Sequence, residues 1–311
     1  MRYGVFAVCA YGLWGLFPVF WKLFHFAPAD FVLAHRVLWS CLLLAAVLIL
    51  TGRWSDFRAA IGAGGPRLAA LCGSATVIAS NWVFYIYAVN TDRVVEAGLG
   101  YFINPLINVL LGVLFLRERP APLQIAAVAL AAAGVGYYVY DFGRLPWISL
   151  VLGFSFGFYG LFRKLSPMPP LFALQFETGV LALPALLGLA AFSFATSSND
   201  FFVWPAASAL TPVQWLTLAS TGIVTVLPLY LFLKAAAGLR LGTLGLFQYI
   251  APTTHLLLGV WLYAEPFTRT HTITFGLIWS ALLLYSASIL RRDGSEREPA
   301  PAERTDLPNE K

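Results

Sequence analysis

A duplicated segment constrains this chain more than any other feature of its sequence. Residues 88–118 read AVNTDRVVEAGLGYFINPLINVLLGVLFLRE, and residues 235–265, 147 positions later, read AAAGLRLGTLGLFQYIAPTTHLLLGVWLYAE. Eleven of the 31 aligned positions are identical without a gap. The identities that an apolar composition does not explain include Arg93/Arg240, Pro105/Pro252 and Glu118/Glu265. The chain therefore contains one structural unit twice.

The composition indicates a membrane protein. Of the 311 residues, 59% are hydrophobic and 11% are charged, whereas soluble domains carry about 25% charged residues. The net charge of +5 comes from basic residues scattered between apolar runs. Because no basic stripe with interleaved aromatic residues is present, we expect no nucleic-acid partner. We expect the protein to be embedded in a lipid bilayer.

The apolar runs predict ten membrane-spanning helices, since about 20 apolar residues cross a bilayer as a helix. The predicted spans are 3–24, 30–50, 67–88, 95–116, 122–140, 147–165, 171–192, 212–235, 243–264 and 270–290. With the N-terminus in the cytoplasm, twelve Lys and Arg residues fall at the cytoplasmic ends and four at the other side. This bias predicts that both termini are cytoplasmic.

The duplication and the ten spans together predict an inverted repeat. The matching segments are five spans apart, and an odd number of crossings reverses direction. We therefore expect an all-α integral membrane protein in which residues 3–140 and 147–290 form two inverted five-helix repeats, followed by a disordered cytoplasmic tail, 291–311. Secondary transporters are commonly built this way, with the binding site near the midplane at the repeat interface.

Two ionisable side chains inside the spans are candidates for function, because charge at membrane depth is costly. Arg36 lies in the second span and Glu177 in the seventh. We predict that Arg36 holds a substrate anion or pairs with Glu177. The alternatives are that Arg36 extends to the outer interface and that Glu177 makes a structural hydrogen bond between helices.

Uncharged polar residues give a second set of candidates. Tyr101, Asn104 and Asn108 share one face of the fourth span, and Gln248 and His255 occupy the positions equivalent to the first and last of them in the ninth span. The helix kinks Pro105 and Pro252 lie between them, and Asn81 with Trp82 in the third span are further candidates. This face either lines a substrate pathway, in one cavity shared by both repeats, or packs helices together.

Several motifs are absent or have an ordinary explanation. No nucleotide-binding loop, nucleophile elbow or HExxH motif is present, and the three cysteines are far apart, so we expect no cofactor, no metal and no enzyme. Gly153 and Gly157 form a GxxxG motif that serves either packing within the chain or a homodimer. The expected partner is a small-molecule solute; a non-transporting scaffold and a lipid-modifying membrane enzyme are the alternative functions.

Six stretches carry a family resemblance: YGLWGLFPVFWK (11–22), PADFVLAHRVLWS (28–40), SNWVFYIYAVN (80–90), EAGLGYFINPLINVLLG (96–112), FSFGFYGLFRK (154–164) and LGLFQYIAPT (244–253). They resemble the RarD branch of the EamA-type drug/metabolite transporters. The resemblance implies a secondary permease or exporter in the bacterial inner membrane, with ten helices around a central cavity. It also implies functional roles for His35, Arg36, Trp39, Asn81, Trp82, Tyr101, Asn104, Glu177, Gln248 and Tyr249.

Overall fold

The computed structural model describes residues 2–62, 64–117, 119–166, 168–194, 210–236, 238–239 and 247–295. Within these residues every regular element is a helix. The α-helices are α1 Arg2–Gly15, α2 Phe17–Trp21, α3 Ala29–Leu50, α4 Trp54–Gly62, α5 Pro66–Asn90, α6 Val94–Leu116, α7 Pro122–Phe142, α8 Trp147–Leu165, α9 Pro170–Phe194, α10 Pro212–Ala236, α11 Ile250–Leu257 and α12 Arg269–Ser295. A 3₁₀ segment, Lys22–Phe24, follows α2, and a π-helical segment, Leu258–Leu262, follows α11.

These helices account for the predicted spans. Eight helical segments are long and apolar enough to cross a membrane, from Tyr3–Phe24 to Pro212–Ala235. Ile250–Leu262 is a shorter apolar helix at the ninth predicted span. Helix α12, with 27 residues, covers the tenth. The prediction of an all-α protein that crosses the membrane many times is confirmed.

Helix packing follows the relation between the two repeats. The duplication makes α1, α3, α5, α6 and α7 the counterparts of α8, α9, α10, α11 and α12. Three helices pack against their own counterparts: α3 against α9, α6 against α11, and α7 against α12. Other contacts occur in equivalent pairs, since α5 packs on α8 as α10 packs on α1, and α6 packs on α8 as α11 packs on α1. This is the contact pattern of two halves related by a pseudo-two-fold axis.

Glycines allow the closest approaches between helices. A Cβ atom at Gly222 of α10 would stand 2.7 Å from the backbone oxygen of Trp39 in α3. On α8, a Cβ atom at Gly153 or Gly157 would come within 2.6 or 2.8 Å of the Ile107 side chain of α6. The GxxxG face is therefore covered within the chain, so it does not offer a surface for a second copy.

The first predicted span, the ninth predicted span and the predicted tail are compared with the described helices. The first consists of α1, α2 and the 3₁₀ segment rather than one helix, because Pro18 has no N–H for the α-helical ladder. In the ninth predicted span, the described α-helix is Ile250–Leu257, and residues 243–246 lie outside the described residues. The predicted tail begins later than expected, since α12 continues to Ser295.

Some predictions concern positions outside the described residues. These are Glu118, Arg240 and Gly245 of the duplicated segment, most of the long loop between the seventh and eighth spans, and the tail from 296 onward.

Candidate functional site

His255 joins the two repeats inside the bundle. Its Nε2 atom lies 3.0 Å from the Tyr85 hydroxyl of α5 and 3.0 Å from the carbonyl oxygen of Trp14 in α1. Because a carbonyl oxygen only accepts, Nε2 is the protonated nitrogen and donates to it. The imidazole is 3% exposed, and its ring centroid lies 5.9 Å from that of Tyr101. Polar groups of α1, α5, α6 and α11 thus meet at one buried point.

The Trp14 carbonyl is available to His255 because of a proline. In a continuous α-helix, the N–H of residue 18 would donate to the carbonyl of residue 14. Pro18 has no N–H, so this carbonyl lacks its usual intrahelical donor. His255 supplies the missing hydrogen bond from the other repeat. The break in the first span is therefore part of the contact between the repeats.

Asn81 ties α5 to two neighbouring helices. Its Nδ2 atom donates to the Leu152 carbonyl and to the Ser155 hydroxyl of α8, at 3.0 Å each. Its Oδ1 atom accepts a hydrogen bond of 3.1 Å from the Tyr101 hydroxyl of α6. With both ends of the buried amide occupied by protein groups, Asn81 positions Tyr101 beside His255.

Asn104 and Asn108 face away from this meeting point. Asn104 donates to the Gly153 carbonyl of α8 at 3.1 Å, and Asn108 donates to the Asn104 side chain at 3.2 Å. Asn108 also lines a cavity of about 680 Å³ together with Arg119, Gln124, Lys164 and Tyr285. Among the described residues of the predicted shared face, only Tyr101 and His255 are brought together; the asparagines contact α8 and this separate cavity.

Arg36 occupies an aromatic enclosure at the contact of α3 with α10. Its Nε atom donates to the Thr225 hydroxyl at 3.1 Å, and the residue is 4% exposed. The guanidinium carbon lies 4.0 Å from the ring centroid of Trp82 and 4.8 Å from that of Trp21. These contacts keep a positive charge inside the bundle through cation–π attraction.

Glu177 belongs to a different cluster, so the predicted pairing with Arg36 is wrong. Its carboxylate accepts hydrogen bonds from Ser74 at 2.5 Å and Tyr159 at 3.4 Å, and it lies 3.8 Å from an Nη atom of Arg163. Depth along the two spans suggested that the charges could meet. However, Glu177 projects from the side of α9 that faces α5 and α8, and not from the side that faces Arg36.

The other predicted residues surround these clusters. His35 is buried against Phe31 and Trp215, with ring centroids 4.7 and 5.5 Å away. Tyr249 packs against the apolar cluster that α6 and α12 share, while Gln248 lies in the turn before α11.

The two prolines are not equivalent. Pro105 lies within α6, as the sequence predicts, whereas Pro252 falls in the first turn of α11. At that position a missing N–H costs no intrahelical hydrogen bond, so Pro252 does not interrupt α11.

Contacts between the repeats occur beside the α5–α6 loop. Lys22 forms an ion pair with Asp92 of the same repeat and lies over the Tyr263 ring of the other repeat. Glu265 accepts hydrogen bonds from the backbone N–H groups of Val94 at 2.6 Å and Val95 at 2.8 Å, the first residues of α6. Burial raises the pKa of the Glu265 carboxyl, and the two backbone donors oppose that shift. A carboxylate here also suits the positive end of the helix dipole.

Some functional contacts could not be found from the sequence. Tyr85, Thr225 and Ser74 each supply a hydroxyl to a candidate residue, yet each stands alone in an apolar run. A signal existed only for Glu265, which the duplication aligns with Glu118. Among the described residues, no group of three His, Cys, Asp or Glu side chains is placed to hold a metal ion.

Comparison with known proteins agrees with this architecture. The model of the EamA-like transporter family matches residues 2–140. The chain is 42% identical to Protein RarD of Escherichia coli, over 90% of this chain and 92% of that protein. It is 41% identical to the uncharacterized transporter YojE of Bacillus subtilis, over 91% and 93%. A crystal structure with 20% identity shares the fold, with a TM-score of 0.56 over 93% of this chain and 98% of that one. The chain therefore belongs to the EamA-like transporter family, within its RarD branch.

Proposed function

We propose that this protein is a secondary transporter, a permease or exporter that moves a small organic solute across the bacterial inner membrane by alternating access. The observation that carries the proposal is the set of polar contacts between repeats inside the bundle. His255 reaches Trp14 and Tyr85, and Arg36 reaches Thr225. Polar groups are expensive at membrane depth and are retained where they serve a pathway.

The small net energy of each of these contacts suits a protein whose halves move. A scaffold would hold its repeats together more cheaply with apolar packing, because lone polar groups in a membrane interior add little stability. The hydrogen bonds of His255 and Arg36, like those of Asn81 to α8, are each weak enough in a membrane to break and reform. We therefore expect the repeats to rock about the axis on which α3, α6 and α7 meet their counterparts.

The two ends of the bundle support the same mechanism. At one end, the Lys22 contact with Tyr263 and the Glu265 contact with α6 join the repeats. The cavity beside Asn108 is also lined by Arg119, whose loop the distribution of basic residues predicts to be cytoplasmic. We infer that the first end is closed and the second end open, which is the arrangement of one alternating-access state.

Transport is tested by untargeted metabolite profiling of cells and medium. Cells that produce the wild-type protein, no protein, Arg36→Gln or Arg53→Gln are compared at equal membrane abundance. Arg53 is the matched control, because its guanidinium also lies over an aromatic ring, Phe172 at 4.7 Å, but on the surface. At least one solute should redistribute with the wild type and Arg53→Gln. Identical profiles with and without the protein would refute a transport function.

Orientation and alternating access need separate measurements. A reporter active only outside the cytoplasm, fused after residues 25, 143 and 200, should be active at all three; silence at two would overturn the topology. For access, single cysteines replace Asn108 or Asp92 in a protein without its three native cysteines. Adding the transported solute should change thiol labelling at the two positions in opposite directions. Parallel changes would contradict alternating access.

A further inference from the structure

Arg36 has more hydrogen-bond donors than the protein uses. A guanidinium carries N–H donors on Nε and on both terminal nitrogens. Only Nε has a partner, Thr225. Across the described part of the chain, the terminal nitrogens have no hydrogen-bond acceptor and no carboxylate forms an ion pair with Arg36. A charged group that is 4% exposed therefore presents an unoccupied edge inside the bundle.

The aromatic residues around Arg36 leave that edge free. Trp82, Trp21 and Phe17 have ring centroids 4.0, 4.8 and 6.0 Å from the guanidinium carbon. Rings stack on the flat faces of a guanidinium, whereas its N–H groups point outward in the plane. The enclosure thus stabilises the cation without using its terminal donors. Because Arg36 is only 4% exposed, water screens its charge less than in solvent, and a hydrogen bond from that edge to an anion is therefore stronger.

A second buried donor lies in the same enclosure. The indole Nε1 atom of Trp21 is buried and has no hydrogen-bond partner among the described residues. An indole N–H can only donate, and buried donors are rarely left unpaired. Two neighbouring side chains therefore lack an acceptor. An acceptor-rich ligand would satisfy both.

Charge balance selects the kind of acceptor. Arg36 contributes one positive charge, and its contacts Thr225, Trp82, Trp21 and Phe17 are neutral. A carboxylate neutralises that charge and fits the fork of the guanidinium through two parallel hydrogen bonds. A phosphate dianion would leave a net negative charge in a dry enclosure, at a high desolvation cost.

We propose that Arg36 binds the carboxylate of the transported solute, a monoanion whose remaining part is apolar or aromatic. This inference rests on the transport function proposed above and names its substrate class. Thr225 holds Nε and so fixes the direction of the fork. Trp82, which is 9% exposed, gives the apolar part of the solute a flat surface beside the guanidinium.

The binding test uses the purified full-length protein in lipid nanodiscs. Thermal unfolding is followed with benzoate, phenylacetate and hexanoate, with their primary amides, and with phenyl phosphate. The carboxylates should raise the unfolding temperature saturably, and the neutral amides should not. Equal stabilisation by the amides, a preference for phenyl phosphate, or no effect of any carboxylate would overturn the proposal.

Variants locate the binding at Arg36. Arg36→Gln should weaken carboxylate binding by about tenfold or more, and Arg36→Lys should not restore it, because an ammonium cannot form the paired hydrogen bonds. Arg53→Gln should bind as the wild type does. Thr225→Val keeps the charge but frees Nε, so a weaker loss is expected. Unchanged carboxylate affinity in Arg36→Gln would refute the assignment of the site to Arg36. If that variant does not fold, unchanged carboxylate affinity in Thr225→Val would refute the assignment instead.

Flux measurements separate this inference from the transport function. Proteoliposomes are loaded with the carboxylates or with a cell extract, and efflux is measured for the wild type and Arg36→Gln. Carboxylate binding without any flux would support the binding site at Arg36 but refute the proposed transport function. If neutral solutes are transported and Arg36→Gln does not change their flux, the transport function is supported. The proposed role of Arg36 in solute recognition is then refuted.

Discussion

Replacing Glu265 by alanine tests how the repeats are joined at the α5–α6 loop. The carboxylate accepts the buried N–H groups of Val94 and Val95. Leaving a buried donor unsatisfied costs about 1–3 kcal/mol, so two give about 2–6 kcal/mol. Because Glu265 is 8% exposed, some water will enter the truncated site, and we expect about 2–4 kcal/mol. Since about 1.4 kcal/mol is a factor of ten, local opening should increase roughly 30- to 1,000-fold.

Amide hydrogen exchange measures this effect directly. In Glu265→Ala, peptides that contain the first turn of α6 should exchange faster by the same factor, because opening free energy sets the exchange rate. Gln214→Ala is the control. Its side chain accepts the Thr211 N–H at 2.8 Å, but the contact is exposed, so water replaces it and exchange should change little. Unaltered exchange at Val94 and Val95 would refute the assigned role of Glu265.

Three further predictions concern helix contacts and pH. Gly222→Ala should destabilise the protein by about 1–3 kcal/mol in thermal or denaturant unfolding, as overpacking does. The reason is that its Cβ atom would stand 2.7 Å from a backbone oxygen of α3. Gly179→Ala is the control, because a Cβ atom at Gly179 would have nothing within 4 Å. Pro18→Ala restores an N–H that competes with His255 for the Trp14 carbonyl, so its effect on flux should not add to that of His255→Ala; additive losses would contradict the contact. Because burial raises the pKa of Glu265 above 4.5, the wild type should lose stability relative to Glu265→Gln as pH rises from 4.5 through that raised pKa; a constant difference would contradict it.

The sequence contains most of the information for the fold, because membrane spans are specified by local composition. Ten runs of sufficient length gave ten segments, and the duplication gave their relation. The difference within the described residues is at a proline, since Pro18 divides the first crossing. A hydrophobicity window cannot distinguish one continuous helix from two helices that meet at a proline.

The candidate site was less predictable, since its geometry depends on rotation around each helix. Asn81, Tyr101 and His255 were found because polar groups stand out in apolar spans, and they do meet. The predicted pairing of Arg36 with Glu177 was wrong because the sequence gives the depth of each residue in the membrane but not the direction in which its side chain leaves the helix. Hydroxyl partners such as Thr225 were missed because a threonine in a helix commonly bonds to its own backbone, as Thr217 and Thr221 of α10 do, and so does not by itself mark a contact.

The three helices that pack against their own counterparts have a consequence for the origin of the chain. A surface that recognises its own equivalent is isologous, as in a two-fold symmetric homodimer. A single five-helix half would therefore expose a self-complementary surface, and two such halves could assemble only if one entered the membrane upside down. Fusing both orientations into one polypeptide removes that requirement and frees equivalent positions to diverge. Asn108 and His255 are such a pair: one lines an open cavity, and the other lies at the buried junction.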